Sequence, residues 1–145
     1  MKVVAQRVLE ASVKVDDKIV GKIGKGIMLL VSFTEGDDIK NIEYMAKKVA
    51  NLRIFDDNSG IMNLSVQDIN GKVLSVSQFT LYGDALKGNR PSYIKALNGD
   101  KAILLYDKFN NKLKEENIKV ETGIFGADMK VSLINDGPIT IMLEK

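Results

Sequence analysis

Neither cysteine nor histidine occurs among the 145 residues, and proline occurs only twice. Without cysteine there is no disulfide framework, so nothing points to an oxidising compartment. The double absence excludes a Ser-His-Asp triad, a Cys-His pair and a Cys/His zinc site within the chain. Any acid–base catalysis therefore falls to Asp, Glu, Lys or Tyr, to a substrate group, or to water. No apolar run reaches the length of a bilayer span, and the first fifteen residues alternate with polar ones instead of forming a signal-peptide core. The expectation is a cytoplasmic protein with no membrane partner. A formal charge of +2 is too small to demand a nucleic-acid partner, though it leaves room for a local basic patch.

What is present reads as one domain over residues 1–145, because 45% hydrophobic and 28% charged residues are ordinary for a chain that buries a core. Val3 to Val15 has apolar odd positions and reads as a strand. Arg7 interrupts that face. Either its stem is buried while its head reaches water, or it bonds carbonyl oxygens on another segment or subunit. Gly21, Gly24 and Gly26 precede a buried strand, Ile27 to Val31. A phosphate loop follows a strand and opens a helix, so these glycines mark a turn. Asp38 caps a helix over Ile39 to Asn51 with Ile42, Met45, Ala46 and Val49 inward. Arg53 to Phe55 is a short strand, and the acidic turn after it is too short for a calcium loop.

Val73 to Tyr82 reads as a strand from its β-branched and aromatic content, yet Ser75, Ser77, Gln78 and Thr80 place polar groups on both faces. Those groups need backbone partners or a pocket to line. Pro91 suits the start of a short helix through Tyr93 and Ala96, and Asp100 caps a longer one with Ala102, Leu105, Tyr106, Phe109 and Leu113 on one face. Ile118 to Glu121 returns as a strand. The fold class expected is α+β: a curved or barrel-like, mostly antiparallel sheet with two or three outer helices.

The remaining proline lies in Asn135-Asp136-Gly137-Pro138-Ile139-Thr140, with apolar alternation on both sides. These are ordinary turn residues, so a hairpin turn is the plain expectation. An X-Pro bond next to glycine also suits an unusual, rigid backbone.

Three segments together resemble the D-aminoacyl-tRNA deacylase family: Ser77-Gln78-Phe79-Thr80-Leu81, Asn135 to Thr140, and Gly123 to Met129. Flanking matches at Gln6-Arg7-Val8, Arg53-Ile54-Phe55, Met62-Asn63 and Gly88-x-Arg90-Pro91-Ser92 extend the resemblance over nearly the whole chain. Ser32, Tyr93 and Ile139 depart from the family pattern without touching the motif glycine or proline. The resemblance implies hydrolysis of the ester between a D-amino acid and the 3′-terminal adenosine of tRNA, with glycine also accepted. It further implies a homodimer in which a cis Gly-Pro bond of one subunit reaches into the site of the other. On that basis Ser77, Gln78, Phe79 and Thr80 form the catalytic floor, with the amides around Phe79 and Thr80 as an oxyanion hole. Gly137 and Pro138 select chirality, and Arg7 braces them across the dimer. Ala96, Phe125 and Met129 meet substrate, although plain core is an equal alternative for the last two. Lys87, Arg90 and Lys95 are candidates for tRNA phosphates, with solvated surface as the alternative for each. Thr80 has no evident base beside it, which favours attack by water assisted by the terminal ribose 2′-OH. No metal or cofactor is expected. The competing reading is a non-catalytic dimer of the same fold that only holds an RNA 3′ end or a nucleotide.

Overall fold

The structure is a computed structural model and describes residues 1–145. In chain order its elements are β1 (Lys2–Val15), β2 (Lys18–Ile23), β3 (Gly26–Ser32), α1 (Ile39–Ala50), β4 (Phe55–Asp56), β5 (Met62–Leu64), β6 (Lys72–Ser77), a 3-10 turn (Phe79–Tyr82), α2 (Gly99–Glu115), β7 (Lys119–Thr122) and β8 (Lys130–Glu144). β1 is the spine. β8 runs antiparallel along one of its edges, while β3 and β2 share the other, against Lys2–Val8 and Ala11–Val15 respectively. β6 then pairs parallel with β3, and β7 parallel with β6. The sheet is thus mixed, with the antiparallel ladders in the majority. It curls until β2 nears β7. At Gly21 a Cβ would lie 2.7 Å from the Thr122 carbonyl oxygen, so only glycine permits that approach. The result is a nearly closed, barrel-like α+β domain.

Two apolar clusters hold it. The larger joins Val3, Ala5, Leu29 and Val31 of the sheet to Ile42, Met45 and Val49 of α1 and to Tyr106, Phe109 and Leu113 of α2. The smaller fills the barrel with Val8, Ala11, Val13, Ile23, Met28, Leu74 and Val76. β6 lies between these clusters, which is why its centre, Val73 to Val76, is buried on both faces. α1 starts as expected: the Asp38 carboxylate accepts from the Lys40 and Asn41 amides at 2.8 and 3.1 Å. No helix is long and apolar enough to cross a membrane.

Several expectations need correction. The alternation of β1 breaks at a bulge: the register against β8 shifts between Val8 and Glu10, so Val8 is buried and Leu9 is turned outward. The segment Val73 to Tyr82 is not one strand. The Gln78 amide makes the last ladder bond, to the Val31 carbonyl at 2.8 Å, after which Leu81 bonds back to Gln78 and the chain winds into the 3-10 turn. Pro91 opens no helix, because reciprocal bonds between the backbones of Asp84 and Ser92, both 2.8 Å, hold that segment extended. There are two helices, and α2 is capped by Asn98, whose side chain accepts from the Asp100 amide at 3.1 Å. Asp100 is instead the acidic residue of its first turn. Asn135 to Thr140 is no hairpin, since β8 keeps its direction on both sides of the motif.

Candidate active site

Where β3 and β6 end, their last residues form one wall of a cavity of about 630 Å³. Val76 and Ser77 come from β6, and Gln78 and Phe79 from the turn that follows it. Facing them are Ala96 and Leu97 before α2, Ala102 within it, and Phe125, Ala127 and Met129 from the loop between β7 and β8. Tyr93 stands at the side, its ring edge-on to Phe79 with centroids 5.1 Å apart. The floor is therefore apolar, with a few convergent polar groups at one end, the usual make-up of a small-molecule site.

The polar end comes from the abrupt stop of β6. The backbone bonds of the 3-10 turn are donated by residues beyond its first two: Leu81 to Gln78, and Gly83 to Thr80. The amides of Phe79 and Thr80 are left as unpaired donors at its start. The Thr80 hydroxyl is exposed and accepts a hydrogen bond from the Gln78 side-chain amide. Tyr93 is the only ionisable side chain of the lining, which holds no carboxylate, lysine or arginine. Beside the mouth, Lys95 lies 3.5 Å from Asp84. The Leu86 amide, more than Lys95, holds the Asp84 carboxyl below its usual range.

The second motif forms a separate structure. Gln6 of β1 pairs with Thr140 and Val8 with Asn135, so the single residue Arg7 faces the four residues Asp136 to Ile139. These four bulge out of the ladder. The Asn135 side-chain amide closes the base of the bulge by donating to both the Arg7 and Ile139 carbonyls at 2.9 Å. At the tip Gly137 has φ +122°, and the Gly137-Pro138 bond is cis. A Cβ on Gly137 would lie 2.8 Å from Ile139 Cγ1 and 3.0 Å from its amide nitrogen. Gly137 and Pro138 are exposed.

Arg7 clamps the bulge from below and does not snorkel, since its side chain is only 8% exposed. Its Nε lies 3.1 Å from the Asp136 carboxylate and donates to the Asp136 carbonyl at 3.3 Å. Its Nη1 donates to the Ile54 carbonyl at 2.8 Å and meets Asp56 at 3.3 Å. A buried guanidinium is thereby satisfied on two sides.

The structure thus sorts the candidate residues into two groups. Ser77, Gln78, Phe79, Ala96, Phe125 and Met129 line one cavity, with Thr80 just outside it. Arg7 and Asn135 to Thr140 belong to the bulge, and neither Gly137 nor Pro138 lines the cavity of its own chain. Tyr93, Leu97 and Ala102 also line the cavity, a role sequence reasoning did not give them. Their apolar pattern reads simply as core.

A model of the D-Tyr-tRNA(Tyr) deacylase family matches residues 4–144. The chain belongs to this family. It is 56% identical over 144 residues to the D-aminoacyl-tRNA deacylase of Bacillus velezensis, covering 99% of this chain and 98% of the relative. It is 57% identical over 145 residues to the D-aminoacyl-tRNA deacylase of Flavobacterium psychrophilum, covering 99% and 97%. Among solved structures, a c-Myc DNA unwinding element binding protein superposes with a TM-score of 0.93 at 41% identity, over 100% of this chain and 99% of that one. A probable eukaryotic D-amino acid tRNA deacylase shares the fold, with a TM-score of 0.83 at 20% identity over 98% and 97%. Of the three segments that resemble the family, Ser77 to Phe79 and Phe125 to Met129 contribute to the cavity, and Asn135 to Thr140 builds the bulge.

Proposed function

We propose that the chain is a D-aminoacyl-tRNA deacylase, a hydrolase of the ester between a D-amino acid and the 3′-terminal adenosine of tRNA. It works as a homodimer whose sites are shared between copies. The observation that carries this reading is the pairing of a cavity with free amides at its end and a stapled, exposed Gly-Pro bulge outside that cavity. Membership of the deacylase family supports the same reaction.

In this reading the terminal adenosine enters the cavity against Phe125 and Met129. The scissile carbonyl oxygen faces the Phe79 and Thr80 amides, which take up negative charge as it develops. No carboxylate, lysine or arginine reaches the cavity, so the attacking water is oriented by the substrate's own 2′-OH. Its oxygen bonds to the ester carbon, the ribose 3′-oxygen leaves and takes the proton, and a free D-amino acid and tRNA result. Thr80 is architectural. Gly137-Pro138 of a second copy closes the site, its carbonyls holding the substrate ammonium and leaving no room for an L side chain. Exclusion by rigid backbone rejects strongly, but glycine has no side chain to reject and passes. β8 suits the dimer: it pairs only with β1, and its apolar residues Val131, Leu133, Ile139 and Ile141 are only half-buried.

The test is hydrolysis of matched D- and L-tyrosyl-tRNA. The deacylase clears the D ester and leaves the L ester intact. The second reading, a protein that binds nucleic acid without cleaving it, draws on the name of the DNA unwinding element binding relative. It wins if the chain binds the tRNA end and hydrolyses neither ester.

A further inference from the structure

Tyr106 sits behind the candidate cavity and takes no part in its lining. It projects from the middle of α2 and is 3% exposed. Its hydroxyl donates to the Ser75 carbonyl at 2.8 Å, and the Gly123 amide donates to the same oxygen at 3.1 Å. Its ring meets that of Phe125 with centroids 5.9 Å apart, tilted by 47°. One side chain therefore touches both walls: β6 two residues before Ser77, and the loop that carries Phe125. Ala102, one turn earlier on the same helix, lines the cavity directly.

Packing alone does not account for a tyrosine here. Phenylalanine would fill nearly the same volume, as Phe109 does on the next turn while fully buried. The Ser75 carbonyl already has a donor in Gly123, so the hydroxyl rescues no orphaned acceptor. Two other polar atoms nearby, Ser75 Oγ and Asn110 Oδ1, are buried without a partner. Such a polar island weakens an apolar core, because buried polar groups that are only partly satisfied are costly. What it supplies is direction, since a hydrogen bond constrains angle as well as distance. Burial pushes the Tyr106 phenol up, so it remains a protonated donor at neutral pH.

We propose that Tyr106 is a positioning residue for the deacylation. Its bond to Ser75 fixes where β6 ends, and with it the Phe79 and Thr80 amides, while its ring fixes Phe125, so that the two walls keep one spacing. It touches no substrate. The inference rests on the deacylase reading.

The experiment measures steady-state hydrolysis of D-tyrosyl-tRNA by wild type, Tyr106→Phe and Phe109→Leu, each corrected for folded fraction by circular dichroism. Tyr106→Phe is expected to lower kcat about tenfold with KM within about twofold, the mark of lost positioning in the transition state. Phe109→Leu loosens the same helix while keeping the hydroxyl that bonds Ser75, and keeps wild-type kcat per folded molecule. A wild-type kcat in Tyr106→Phe, or losses in both variants that merely follow the unfolded fraction, overturns the inference. If wild type hydrolyses no D-tyrosyl-tRNA, the deacylase reading falls instead, and amide hydrogen exchange decides the role of Tyr106. Faster exchange at Gly123 and Gln78 in Tyr106→Phe, with α2 unchanged, supports positioning; unchanged exchange at both amides overturns it.

Discussion

β6 and β8 carry the two sequence motifs, and they meet their surroundings in opposite ways. β6 is enclosed on both edges and both faces, and where it stops it hands its polar residues to a cavity of the same chain. β8 is an edge strand, half-buried along its length, and its special residues bulge outward into solvent. A buried strand end gives a rigid floor that one chain builds alone. An exposed bulge, stapled by Asn135 and clamped by Arg7, is equally held but lines no part of its own cavity. The contrast is what motivates a composite site, with each chain supplying a floor for itself and a wall for a second copy.

The most severe way to break the contrast is Gly137→Ala. The left-handed φ and the 2.8 Å approach to Ile139 mean that a methyl group reshapes the bulge tip, and the floor is untouched. Hydrolysis of D-tyrosyl-tRNA is expected to fall by about a hundredfold, the scale of a 1 Å misplacement, with an unchanged circular dichroism spectrum. Next is Arg7→Met, which strips donors from two carbonyls and leaves Asp136 and Asp56 without their cation. Urea unfolding should show a loss of about 2–3 kcal/mol, below the range for a fully buried pair because both carboxylates are partly exposed. Thr80→Ala sharpens the assignment on the floor side: a hydroxyl that only accepts from Gln78 predicts activity within about threefold of wild type.

The smallest effect expected is on acid stability. The Asp57 carboxyl is held low chiefly by the Ile61 amide, and that of Asp68 by the Ser65 amide and then its hydroxyl. Their folded pKa values lie below the unfolded ones, so the stability they contribute is present above the ordinary carboxylate range and is lost as pH falls through the folded values. Thermal unfolding followed downward from pH 5 should show this decline, and Asp68→Asn should make it shallower.

Much of the fold was legible because its period is local. α1 follows from Asp38 and the stripe Ile42, Met45, Val49, and β3 from an unbroken apolar run. The misplaced elements depend on partners that are distant in the chain. The outward turn of Leu9 needs the register against β8, and the extended backbone at Ser92 needs Asp84. The end of the Val73 to Tyr82 run needs the last acceptor offered by Val31. The candidate site shows the same division. Six expected site residues, five of them from the resembling segments, meet in one cavity, and Arg7 is visible as the lone charge on an apolar face. Tyr93, Leu97 and Ala102 leave no such mark, because an apolar or aromatic residue facing a cavity has the same pattern as one facing core.

The most direct test of the composite site is to mix two inactive variants. Ala96→Trp fills the cavity and spares the bulge, whereas Gly137→Ala spoils the bulge and spares the cavity. Equal amounts of the two, unfolded and refolded together, should recover about one quarter of wild-type hydrolysis of D-tyrosyl-tRNA, since half the dimers are mixed and each holds one intact site. A mixture as inactive as either variant alone, with mixed dimers demonstrated by mass spectrometry, would contradict the account.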